Sequence, residues 1–172
     1  MQDLLDRYPD HRPAFLNVAQ GGIYEAPTMA HTVLGSCVSV TFFVPHRGLA
    51  AIFYALLPRA CEYRLHDPDV SPYKFVDTAI LTLCARLERR GITRGEIECK
   101  VFGGASALFA DEMSVGRRNV ETAFDTLAEL GLRVAASNVG GDRGRKIVFA
   151  TGTGEIYVKM LSGNAIGGGR RR

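Results

Sequence analysis

The amino-acid sequence predicts an α+β fold, a layered β-sheet sandwich with flanking helices, and three observations carry that expectation. Short apolar segments with strand-like alternation come in adjacent pairs. Two stretches of helical periodicity stand between those pairs, whereas strict strand–helix alternation would predict a doubly wound parallel sheet. The 172 residues are 47% apolar and 23% charged, enough for one sizeable globular core.

The elements follow in order. From Thr32 to Val44 the chain is rich in Val, Thr and Phe and is broken only at Gly35-Ser36; Pro45 to Gly48 then turn into the apolar run Leu49 to Leu57, predicting two paired strands. Pro58 ends the second, and Arg59 to Pro72 reads as a polar loop of a length more often functional than not. Ser71 as N-cap and Pro72 at the first helical position open a helix whose face is Val76, Ala79, Ile80, Leu83, Cys84 and Leu87, closed by Gly91. Glu96 to Val101 alternates as a half-buried strand with Ile97, Cys99 and Val101 inward. A second helix spans about Arg117 to Leu130, with Val120, Ala123, Phe124 and Leu127 on its face. Strands are expected at Leu132 to Ser137, Lys146 to Thr151 and Glu155 to Leu161, the last two joined as a hairpin through Gly152-Thr153-Gly154.

Charge excludes the obvious nucleic-acid reading. The net charge of +3 sits in Arg170, Arg171 and Arg172; without them the 21 basic side chains fall to 18, matching the 18 acidic ones. The body is neutral, so no basic binding face is expected. No apolar run is long enough to insert in a membrane and the first residues lack a signal pattern, so a cytoplasmic protein is expected. Residues 1–14 are expected to be a loose extension, 15–162 a single domain and 163–172 a flexible Gly/Arg tail.

Four cysteines without a C-x-x-C pair suggest neither a zinc site nor a disulfide frame, and no nucleotide-binding glycine motif is present; no metal or cofactor is expected. Cys84 and Cys99 fall on apolar faces and read as core. Cys37 differs, because it follows a Gly35-Ser36 break where backbone amides can turn outward toward a developing oxyanion. Local sequence leaves both a nucleophile and a buried structural cysteine open there. His46 and His66 read as solvated loop histidines, His11 has no role, and Arg143, Arg145 and Lys146 read as a short basic loop.

LGSCV at 34–38, ALLP at 55–58, YKFVD at 73–77, KVFGGAS at 100–106, SVGRRN at 114–119, and GGDRGRKIVF with TGTGEIYVK within 140–159 together resemble the CheD family. The resemblance implies a sandwich fold related to toxin-type cysteine deamidases. It implies hydrolysis of glutamine side-chain amides on the cytoplasmic domains of methyl-accepting chemoreceptors, and association with CheC-type phosphatases of CheY. By the same resemblance Cys37 is the nucleophile.

Two positions depart from the family pattern. Tyr54 stands where the catalytic His is usual, and His31 stands where a Thr would orient that His, with Thr32 one residue later. A straight strand would hold His31 about 20 Å from Cys37 at roughly 3.3 Å per residue. Gly35 must therefore allow a bend, and the family resemblance implies that this bend brings His31 beside Tyr54 and toward the thiol. Cys37, His31 and Tyr54 form the candidate catalytic set of a deamidase; the alternative is a CheD-like binding module whose catalysis is impaired by the loss of the usual base.

Overall fold

The computed structural model describes residues 2–25, 27–63, 69–106 and 114–162. Two sheets pack face to face. The five-stranded sheet holds, in spatial order, β2 (Gly21–Tyr24), β5 (Leu49–Ala55), β4 (Val38–Val44), β6 (Glu98–Gly103) and β7 (Arg133–Val139). The four-stranded sheet holds β1 (Arg12–Phe15), β3 (Thr28–Leu34), β8 (Arg145–Ala150) and β9 (Glu155–Met160). Neighbours are antiparallel except β1 with β3 and β6 with β7. This is the expected α+β sandwich.

Helices α2 (Val76–Glu88) and α3 (Val115–Glu129) cover the outer face of the five-stranded sheet. Val38, Val40, Phe42 and Val44 of β4 point to them, together with Phe53 and Ala55 of β5 and Ile80, Leu83 and Leu87 of α2. Ala50, Ile52, Phe102, Ala30, Leu34, Ile147 and Phe149 fill the space between the sheets. Covering on both faces explains why β4 and β5 read as nearly continuous apolar runs and not as alternating ones. Cys84 and Cys99 are buried in the helix-side core as expected. Among the described residues no helix is long and apolar enough to cross a membrane.

Three expectations are corrected. Residues 32–44 are not one interrupted strand: Leu34 ends β3 in one sheet and Val38 begins β4 in the other, so Gly35 to Cys37 is the crossover between layers. The helix expected from Ser71 is α2 and begins at Val76, because Leu57 bridges Phe75 and its carbonyl takes the Val76 amide at 2.8 Å; Ser71 instead accepts from Tyr73 N at 3.2 Å and donates to Ala19 O at 2.7 Å. The N-terminal stretch is ordered: α1 (Gln2–Arg7) lays Leu4 and Leu5, with Tyr8 beyond it, on Met29, Val148 and Ala150, and β1 pairs with β3. His66 and residues 163–172 lie outside the described residues.

Candidate active site at the crossover between the sheets

Cys37 sits where the chain leaves the four-stranded sheet, with 8% of its surface exposed, and packs in the inter-sheet cluster beside Tyr54. The register explains the meeting. Val38 pairs with Ala55 and Ser39 with Tyr54, so Tyr54 projects to the inter-sheet side one step from Cys37. Burial pushes the Cys37 thiol up, partly offset by the Tyr54 hydroxyl, the residue's own amide and the Ser36 hydroxyl. Burial first, and then the neighbouring Cys37, push Tyr54 up to about 12. Both groups are neutral at pH 7, and Tyr54 is a hydrogen-bond donor to sulfur, not a base.

The crossover is held from three sides. Ala105 N donates to Gly35 O at 2.8 Å, Gly104 N donates to Cys37 O at 2.8 Å, and Asn119 Nδ2 donates to Ser36 O at 3.0 Å. Asn119 is fully buried on α3, and its same amide nitrogen donates to Leu56 O at 3.0 Å, just beyond β5. Gly103, at φ 109°, is needed because a Cβ there would collide with the Cys37 carbonyl. Gly116 lets the first turn of α3 approach the carbonyls of Gly104 and Ala105, which a side chain would block. Ser114 caps that helix, accepting from Arg117 N at 3.3 Å.

The loop behind the site is fixed by Arg145. It is only 1% exposed, and its guanidinium donates to Asn138 O, to Asn138 Oδ1 at 2.6 Å and to Gly140 O. Gly140 N reaches Gly103 O and Ser106 N reaches Gly141 O, both at 2.9 Å. Arg145 is thus an internal strut, not part of a solvated basic loop, and burial lowers its pKa from the ordinary arginine value.

His31 is on the other side of its sheet. Ala30, Thr32 and Leu34 are wholly buried, and Ala30 and Leu34 lie in the inter-sheet core, whereas Met29 belongs to the outer cluster. Strand alternation puts His31 with Met29. Its ring stacks edge-on against the exposed Phe15 at 5.4 Å and its Nδ1 lies 3.3 Å from Met29 O. The structure brings Cys37 and Tyr54 together and leaves His31 separated from them by the backbone of β3. Thr32 faces inward, and its hydroxyl donates to Leu16 O at 2.8 Å.

His46 lies exposed in the 3-10 turn between β4 and β5. Among the described residues no three His, Cys, Asp or Glu side chains gather as metal ligands. Sequence reasoning singled out neither Ser39 nor Asn119. Ser39 is buried opposite Tyr54 with no hydrogen-bond partner for its hydroxyl. Its only signal was a polar residue in an apolar strand, and that of Asn119 a polar residue on the buried side of a helix.

Comparison with known proteins agrees with the motifs. The family model for CheD chemotactic sensory transduction matches residues 56–160. A probable chemoreceptor glutamine deamidase CheD of Nitratidesulfovibrio vulgaris is 40% identical over 159 residues, 88% of this chain and 79% of its own. One from Oleidesulfovibrio alaskensis is 42% identical over 158 residues, 87% of this chain and 73% of its own. The second such protein of Geobacter sulfurreducens is 40% identical over 158 residues, 91% of this chain and 94% of its own. The family-model match starts beyond Cys37 and Tyr54, but a contiguous match to these relatives of the stated extent takes in both residues wherever it begins.

Proposed function

The chain belongs to the CheD family, and on that footing we propose that it deamidates glutamine side chains of methyl-accepting chemoreceptors in the cytoplasm, with Cys37 as nucleophile. The observation that carries the reading is the thiol buried at the sheet crossover in one cluster with Tyr54, where the Tyr54 hydroxyl, its own amide and the Ser36 hydroxyl partly offset the upward push of burial on the thiol. The thiolate attacks the carboxamide carbon, a C–S bond forms, and the C–N bond breaks as ammonia leaves with a proton delivered by water. A second water cleaves the thioester, giving glutamate and restoring the thiol. No step calls for a metal or an organic cofactor. Tyr54 donates to the sulfur and stays protonated throughout, so it stabilises the thiolate without generating it.

A receptor cytoplasmic fragment incubated with the protein should gain about one dalton for each converted glutamine, and Cys37→Ala should abolish the gain. A mass shift that survives Cys37→Ala would sink the mechanism. Because the thiol is held neutral, the rate should climb between pH 7 and pH 9 as the thiolate fraction grows, with Tyr54 still a donor across that range.

One observation favours a second reading. His31 lies on the far face of β3, so among the described residues no imidazole accompanies Cys37, and positioned acid–base groups are worth about 10² to 10⁴ in rate. In that reading the protein binds receptors, or a CheC-type phosphatase of CheY, without converting glutamines. Receptor binding with no mass shift at pH 9 is its signature.

A further inference from the structure

A trans peptide is planar, and its C=O and the following N–H point in opposite directions. Fixing one therefore aims the other. At the crossover the Gly35 carbonyl is tied to Ala105 N and the Ser36 carbonyl to Asn119 Nδ2. The Ser36 N–H is accordingly turned away from Ala105 and the Cys37 N–H away from Asn119 of α3, and the Cys37 amide is one of the groups that hold the thiol down against burial. The Gly35 peptide is held by backbone, whereas the Ser36–Cys37 peptide is held by a side chain. Because Ser36 O and Leu56 O are both acceptors, the Asn119 amide can only present nitrogen to them. The same nitrogen ties the Cys37 crossover to the end of the strand that carries Tyr54.

We propose that Asn119 is a positioning residue: by holding the Ser36 carbonyl it aims the Cys37 N–H at the sulfur and at the oxygen of a bound carboxamide, and by holding the Leu56 carbonyl it fixes Tyr54 against the thiol. The oxyanion part rests on the deamidase reading; the effect on the thiol does not. A purely structural Asn119 would stabilise two buried carbonyls and leave the thiol's chemistry untouched.

The test is the pH profile of Cys37 alkylation by iodoacetamide in the full chain, with peptide mapping to separate Cys37 from the exposed Cys61. Asn119→Ala removes the donor, and Asn119→Leu removes it while keeping the shape. Losing one aimed donor to a thiolate should raise the alkylation midpoint by about one pH unit in both variants. If the unaltered protein deamidates receptor fragments, kcat should also fall by about 10²-fold, with KM little changed. A midpoint unchanged in folded variants overturns the proposal whatever the deamidation assay gives. An altered midpoint in a protein that never deamidates supports Asn119 and counts against the deamidase reading alone.

Should neither variant fold, the unaltered protein still decides. The Cys37 amide proton resonance should move downfield through the thiol titration, as a donor to the thiolate does, and a resonance that ignores the titration overturns the proposal.

Discussion

At the residue scale the proposed site sets Tyr54 beside Cys37, at the position where the family resemblance implies a histidine. Tyr54 is raised to about 12 and cannot accept the thiol proton at neutral pH. Directly across the ladder, Ser39 holds a buried hydroxyl without a partner. An imidazole at position 54 would lie beside Cys37 with Ser39 Oγ within reach of its second nitrogen, which is how a base is oriented. Tyr54→His should therefore bring the Cys37 alkylation midpoint below that of the unaltered protein and raise deamidation at pH 7 by at least about 10-fold, within the range of positioned acid–base groups. An unmoved midpoint would mean that the crossover, and not the residue at position 54, limits the thiol. Cys37 was legible in the sequence because Gly35-Ser36 breaks an apolar run. The side on which His31 lies was not, because one residue of register reverses every side chain in a strand and the switch of sheets at Gly35 has no local signature. Thr32, one position later, faces the inter-sheet core, while His31 faces out.

At the element scale, the parts stabilised by near-sequence pairing were legible. The β4–β5 pair and the β8–β9 hairpin are joined by short turns, and α3 carries its own N-cap and apolar face. The parts that depend on distant partners were not. β1 exists by pairing with β3, β2 by pairing with β5, and the start of α2 is set by the Leu57 carbonyl and not by Ser71. The end of β6 shows the same dependence in a testable way. Gly103 and Gly131 both have positive φ, but a Cβ on Gly131 would meet open space and one on Gly103 would meet the Cys37 carbonyl. Gly131→Ala should cost only the conformational strain, about 1 kcal/mol. Gly103→Ala adds a backbone collision in a packed region, about 1–3 kcal/mol more. Urea denaturation of both variants checks the order, and Gly103→Ala should also slow Cys37 alkylation because the crossover must shift to relieve the clash. Equal destabilisation would show that the crossover yields without cost.

At the scale of the whole molecule, three of the four thiols are drawn into the structure and all three are raised by burial: Cys37 at the crossover, and Cys84 and Cys99 in the core beneath the helices. Cys99 is raised furthest, from about 9 to about 12. A raised thiol pKa means that the folded chain keeps protons the unfolded chain has released, so stability is full below the unfolded value and falls as pH climbs above it. Cys99 alone then withdraws on the order of 1 kcal/mol at pH 10, above its unfolded value. Glu96 and Glu155 act with opposite sign: backbone and side-chain donors of Thr93 hold the first carboxyl low, and the Tyr8 and Thr153 hydroxyls hold the second, so both contribute above the usual carboxylate range and lose that contribution as pH falls. Thermal unfolding under reducing conditions should accordingly give a Tm that is highest near neutrality and drops between pH 8.5 and pH 10.5. Cys99→Ala lowers Tm at pH 7 by leaving a small cavity, yet it should flatten the alkaline limb, so that the difference from the unaltered protein narrows as pH rises. A difference that stays constant across that limb would show that Cys99 does not carry the linkage, and would move the alkaline loss to the other raised groups, the crossover thiol, Cys84, Tyr24 and Tyr54.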